Sequence, residues 1–136
     1  MDRTLLDTDT LSEIFKGKNT IVLSNAAAYV AVCGHLSFSA LSRFEIVRGL
    51  RYRNAAANLQ RFENVCHDSQ IFAVSDSILD RAADLWAYGR QHGHFADDAD
   101  LIIAATALEA GLTVVTGNTD HFGWMPGLAV DDWRTN

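Results

Sequence analysis

The stretch Asp98-Ala99-Asp100-Leu101-Ile102-Ile103-Ala104-Ala105-Thr106-Ala107-Leu108-Glu109-Ala110-Gly111-Leu112-Thr113-Val114-Val115-Thr116-Gly117-Asn118-Thr119-Asp120 decides the fold class. Its first half predicts a helix over 98–110 so apolar that it must be largely buried. Acids stand at the start of that helix, where N-caps and the helix dipole favour them, and Gly111 stands at the C′ position. Residues 112–116 form a β-branched run without polar alternation, followed by a polar turn. A buried helix leading into a buried strand is half of a parallel crossover covered on both faces.

Upstream, the same alternation repeats. Thr4-Leu5-Leu6 is a short strand candidate ending at Asp7, and Thr10 with Glu13 has the spacing of a capping box. A helix is expected over 19–32, ending near Gly34, then a short apolar segment at 36–38. Ser39 reads as the N-cap of a helix over 40–52, and 54–65 also reads as helical. A strand is expected at 70–74, then a helix capped by Ser75 or Asp76 in which Ile78, Ala82, Leu85 and Gly89 share a face. A last strand is expected at 128–130. Together these predict one α/β domain over 1–136, with a short parallel sheet between helical layers. In such a sheet the site lies beyond the carboxyl ends of the strands, which puts Asp7 and the 117–120 turn on one edge.

A chain of 136 residues with 49% hydrophobic and 21% charged residues is globular, not disordered. Cys33 and Cys66 match no metal spacing; two buried thiols are expected, with a disulfide between them left open. The N-terminus lacks a basic segment backed by an apolar one, and the longest apolar stretch is far below the ~20 residues of a membrane span. A cytoplasmic protein with no membrane contact is the expectation. The net charge of −6 argues against a nucleic-acid partner unless acids gather where divalent cations neutralise them.

Such a gathering is expected. Asp7 ends the first strand, and Asp9 is the better candidate for a purely structural cap. Leu41, Phe44 and Val47 give core spacing, which leaves Glu45 at the margin of the buried stripe. There it needs a metal or a partner such as Arg43 or Arg48. Asp97 and Asp98 suit helix capping, whereas Asp100 abuts the buried run. Asn118 and Asp120 belong to the turn beside Asp7, and His121 reads as a turn residue close to the same place. Carboxylates crowded at one edge suit a hard cation with oxygen ligands, Mg²⁺ above all, which activates water for attack on a phosphodiester.

The segments Leu5-Leu6-Asp7-Thr8-Asp9, Ser42-Arg43-Phe44-Glu45-Ile46-Val47-Arg48-Gly49, Asp98 to Leu108 and Leu112 to Phe122 resemble the PIN-domain family. Within it they are most similar to the VapC-type toxin ribonucleases of toxin–antitoxin pairs. The resemblance implies a three-layer α/β/α fold and a Mg²⁺- or Mn²⁺-dependent ribonuclease. It also implies frequent homodimerisation and inhibition by a cognate antitoxin protein. The family's acids fall on Asp7, Glu45 and Asp100 as catalytic and metal-binding residues. Its fourth acidic position falls on Asn118, a weaker ligand, with Asp120 either substituting or serving the turn. Thr8 and Ser39 suggest hydroxyls near the site. Arg43, Arg48, Arg51 and Arg53 lie in one stretch; the first three are candidates for guiding RNA phosphates, against a solvated face or an antitoxin contact.

Two other readings use the same residues. Leu5-Leu6-Asp7-Thr8-Asp9-Thr10 fits the nucleophile motif of haloacid-dehalogenase-type phosphohydrolases, with Asp7 as nucleophile and Asp9 as acid/base. That reading leaves Glu45 unexplained and offers only Lys16 and Lys18, directly after Asp7, as its lysine. A catalytically degenerate binding domain of the same fold is favoured by Asn118 alone.

Overall fold

The computed structural model describes residues 1–135. Its elements are β1 (Thr4–Leu6), α1 (Thr8–Lys16), α2 (Thr20–Cys33), β2 (Ser37–Ser39), α3 (Ala40–Tyr52), α4 (Ala56–His67), β3 (Gln70–Phe72), α5 (Asp76–His92), α6 (Asp98–Ala110), β4 (Thr113–Val115), α7 (Thr119–Phe122) and β5 (Val130–Asp131). The strands form one parallel sheet in the order β3-β2-β1-β4-β5. The chain moves outward from β1 through β2 and β3, then crosses back to build β4 and β5 on the other side. The direction reverses between β1 and β4, so a crevice opens beyond their carboxyl ends.

The strand pleat divides the core between the two faces. Leu5 and Val114 turn to one side, where α5, α6 and α7 supply Ile78, Ala82, Leu85, Leu101, Ile103, Ala104, Ala107 and Phe122. Leu6, Val115 and Phe38 turn to the other side, against Leu11, Ala26, Tyr29, Val47, Leu50 and Phe62 of the first four helices. This is the expected three-layer α/β/α arrangement. Cys33 and Cys66 are both free thiols on this second side; Cys66 is buried as expected, whereas Cys33 is only half-buried. Among the described residues no helix is long and apolar enough to cross a membrane.

Two local expectations are corrected. The first helix starts at Thr8, and Asp7, not Asp9 or Thr10, is its N-cap: Asp7 Oδ1 accepts from the Thr10 N–H at 2.8 Å. Thr10 is instead buried in the first full turn, while the Asp9 carboxylate turns outward. In α3 the buried residues are Ser42, Val47 and Leu50, while Phe44 is 54% exposed with the Arg48 guanidinium over its ring. The helix is thus rotated relative to a stripe through Leu41, Phe44 and Val47, because α4 and β2 take its inner face.

Candidate active site

Asp7 is placed by the strand it ends. Its N–H donates to the Val115 carbonyl at 3.0 Å, continuing the β1–β4 ladder one residue past the strand. Its side chain is 4% exposed and works as a helix cap. Burial pushes the carboxyl above the ordinary range for aspartate, against hydrogen bonds from the Thr116 hydroxyl, the Thr10 N–H and the Thr10 hydroxyl.

Glu45 reaches the same place from α3. Thr8 Oγ1 donates to Glu45 Oε1 at 2.7 Å and lies 2.9 Å from Ser42 Oγ, so α1 and α3 are joined by a hydroxyl pair beneath the carboxylate. Arg48 stands 3.7 Å from the other carboxylate oxygen, a long contact made by a largely exposed side chain. Arg43 goes elsewhere: its guanidinium pairs with Glu63 of α4 at 2.9 Å. Arg51 is exposed in the last turn of α3, and Arg53 is that helix's C-cap. Ser39 is fully buried and caps α3 through the Leu41 N–H, so Ser42 is the α3 hydroxyl that meets Thr8.

Asp100 arrives on the first turn of α6, whose N-cap is Asp97, accepting from the Asp100 N–H at 2.9 Å. Burial first, then the nearby Asp97 charge, pushes the Asp100 carboxyl up to about 6; His121 opposes this and Asp7 adds to it. His121 Nδ1 stands 3.4 Å from Asp100 Oδ2.

Asp7, Thr8, Asp9, Glu45, Asp97, Ala99, Asp100 and Ile103 line one cavity of about 140 Å³. A larger hollow of about 480 Å³ lies beside Tyr29 and Trp133, but it does not touch these acids. The expected triad is therefore brought together from three elements remote in sequence. Asn118 and Asp120 do not line the cavity. The Asn118 amide approaches Asp9 Oδ2 at 3.4 Å, and Asp120 is exposed on α7.

Sequence reasoning assigned Asp97 to capping alone and gave His121 an ordinary turn role, yet both bear on the Asp100 carboxyl. The signal for Asp97 was present: the residue that caps a helix is three positions from a group on the same turn. The signal for Ser42 was its position three residues before Glu45 on one helix face.

The donor set fits a hard divalent cation. All the groups are oxygens, and two of the carboxyls have raised pKa values because they are buried together with little positive charge beside them. Among the described residues no three His, Cys, Asp or Glu side chains are drawn close enough to hold one ion directly.

The model of the PIN domain matches residues 4–123, and the chain belongs to that family. The fold is similar to a DNA-bound VapBC from Salmonella typhimurium (22% identity, 98% of this chain and 99% of that one, TM-score 0.85). It is also similar to FitAcB from Neisseria gonorrhoeae (23%, 98% and 99%, 0.85). A toxin–antitoxin complex from Klebsiella pneumoniae gives a further match (23%, 93% and 95%, 0.71). At these identities the likeness is one of fold. No curated protein matches the chain. Family membership sets aside the haloacid-dehalogenase reading, and the cavity supplies the place for Glu45 which that reading lacked.

Proposed function

We propose that this chain is a single-domain, Mg²⁺- or Mn²⁺-dependent endoribonuclease and the toxin of a type II toxin–antitoxin pair, working in the cytoplasm. The observation that carries this reading is the convergence of Asp7, Glu45 and Asp100 on one acidic cavity at the reversal point of the sheet. PIN-family membership supports the nuclease. The toxin–antitoxin origin of the similarly folded Klebsiella chain supports the biological role. Its partners are an RNA strand, a cognate antitoxin protein and a second copy of the chain.

Each site residue has a separate task. Asp7 is held in one orientation by its cap bond to Thr10, so its outer oxygen is fixed before any ligand arrives. Thr8 anchors one Glu45 oxygen and leaves the other with only the long contact to Arg48. Asp100 contributes a carboxylate whose tendency to protonate is restrained by His121. A divalent cation held there supplies positive charge to a phosphodiester and makes water acidic enough to serve as nucleophile. The chain's part is to fix the oxygens in advance, which costs stability in the free protein and spares reorganisation during the reaction. Asn118 supplies an amide where a fourth acid is implied, so a second cation at this edge is held more weakly.

The test is cleavage of labelled single-stranded RNA with Mg²⁺ or Mn²⁺, against an EDTA control. Asp7→Asn, Glu45→Gln and Asp100→Asn should each lower cleavage by at least about a hundredfold while circular dichroism stays unchanged. Asp97→Asn keeps an N-cap and should cost much less. Full activity in any of the first three variants would remove this assignment.

A further inference from the structure

The tail after β5 brings one guanidinium back to the catalytic edge. Arg134 lies against Gly117, so closely that a Cβ added at Gly117 would overlap the guanidinium. Gly117 is bracketed by residues that bear on the site: the Thr116 side chain counters the upward push on the Asp7 carboxyl, and the Asn118 amide approaches Asp9 Oδ2 at 3.4 Å. The seat is built from several directions. The Thr116 N–H donates to the Asp131 carbonyl at 2.9 Å, tying β4 to the start of the tail. Asn25 Nδ2 donates to the Trp133 carbonyl at 2.8 Å, and the Trp133 ring is buried beside Tyr29. Asp132 Oδ1 accepts from the Arg134 N–H at 2.9 Å and from its Nε at 3.4 Å. With Nε turned to Asp132, Nη1 and Nη2 meet no acceptor among the described residues, and the side chain is 39% exposed.

Two of the basic residues of α3 are less available. Arg43 is committed to Glu63, and Arg48 is shared between Glu45 and the Phe44 ring. An edge carrying five acids needs a cation near it if a polyanion is to lie across it, and Arg134 is held at that edge by its own tail. A merely local pair with Asp132 does not explain why the guanidinium occupies the space of the missing Gly117 side chain. Gly117 is not among the glycines with positive φ, so its backbone does not demand glycine; the guanidinium does.

We propose that Arg134 is a substrate-binding residue that receives a backbone phosphate of the RNA strand, with Gly117 as its seat. The proposal rests on the nuclease reading above, and it places a determinant of substrate affinity outside the residues 4–123 matched by the family model.

The experiment is steady-state cleavage of a fluorescein-labelled single-stranded RNA in Mg²⁺ by wild type, Arg134→Gln, Arg134→Lys, Gly117→Ala and the Gly117→Ala/Arg134→Gln double variant. Loss of one charged phosphate contact predicts KM raised about tenfold in Arg134→Gln with kcat little changed. Arg134→Lys should recover part of that loss. Gly117→Ala should raise KM alone, by displacing the guanidinium, and should add nothing in the double variant. Mn²⁺ binding by calorimetry should be the same in all of them. Unchanged KM in Arg134→Gln overturns the proposal, as does a loss confined to kcat or additive effects in the double variant. If wild type cuts no RNA, the nuclease reading fails. Fluorescence anisotropy of the same RNA on Asp7→Asn, with and without Arg134→Gln, then still decides whether Arg134 holds the strand.

Discussion

Asp7 and Asp100 are carboxyls that the folded chain makes harder to ionise. For Asp7 the cause is burial, only partly offset by the Thr116 and Thr10 hydrogen bonds; for Asp100 it is burial reinforced by Asp97. A carboxyl whose pKa is raised by folding favours the folded state while protonated. Its contribution is present below the unfolded value near 4 and is lost as the pH rises through the folded one, about 6 for Asp100. Without divalent cations the protein should therefore be less stable at pH 7.5 than at pH 5, by on the order of 1 kcal/mol. Urea unfolding in EDTA at the two pH values measures this, and Asp100→Asn should flatten the difference. Mg²⁺ should stabilise more at pH 7.5 than at pH 5, since protons and the cation compete for the same oxygens. Greater stability of the metal-free protein at pH 7.5 would contradict this account of the site.

Gly89 of α5 shows how tightly the elements on one side of the sheet are fitted. An added Cβ there would come within 2.7 Å of the His94 carbonyl oxygen and 2.8 Å of Trp124 Cη2. In an open helix Gly→Ala gains close to ~1 kcal/mol of propensity. Here the backbone at His94 and a ring stacked on Tyr88 and His94 must give way, so Gly89→Ala should destabilise by about 1–3 kcal/mol in urea unfolding. The sequence placed Gly89 on the buried face of its helix because Ile78, Ala82 and Leu85 set a helical period. Two of the caps were readable for the same reason of short range: Ser39 and Ser75 bond to N–H groups two and three residues on. Asp7 and Asp100 were readable because strand ends and helix starts in a parallel sheet fall on one edge, and Glu45 because it stands at the margin of a helical stripe. What was not readable depends on contacts between elements. Phe44 has the spacing of a core residue and faces outward, because the packing of α4 and β2 fixes the rotation of α3. Arg134 sits on Gly117 only because the tail returns along β4 and α2, which no local pattern encodes.

At the scale of the whole molecule, a net charge of −6 means that, on the proposed reading, an RNA strand would be repelled by most of the surface and drawn in at few points. The acids of the cavity are part of that charge, and a cation bound among them removes some of it where the strand has to lie. Several of the cations are already partly neutralised: Arg43, Arg81 and Arg134 each stand beside an acid. A protein that neutralises many phosphates loses affinity steeply with salt, with a slope of log K against log salt of about −0.7 per contacted phosphate for single strands. One or two contacts predict a slope between roughly −0.7 and −1.4. From 50 to 200 mM salt, RNA affinity should then fall by less than about tenfold. The measurement is anisotropy of labelled RNA on Asp7→Asn across a KCl series at fixed Mg²⁺, where no cleavage confuses the signal. A slope near −3 or steeper would mean several further phosphate contacts. Those would have to come from the exposed side chains of α3, Arg48 and Arg51, and the account of a locally held strand would give way to an extended basic surface.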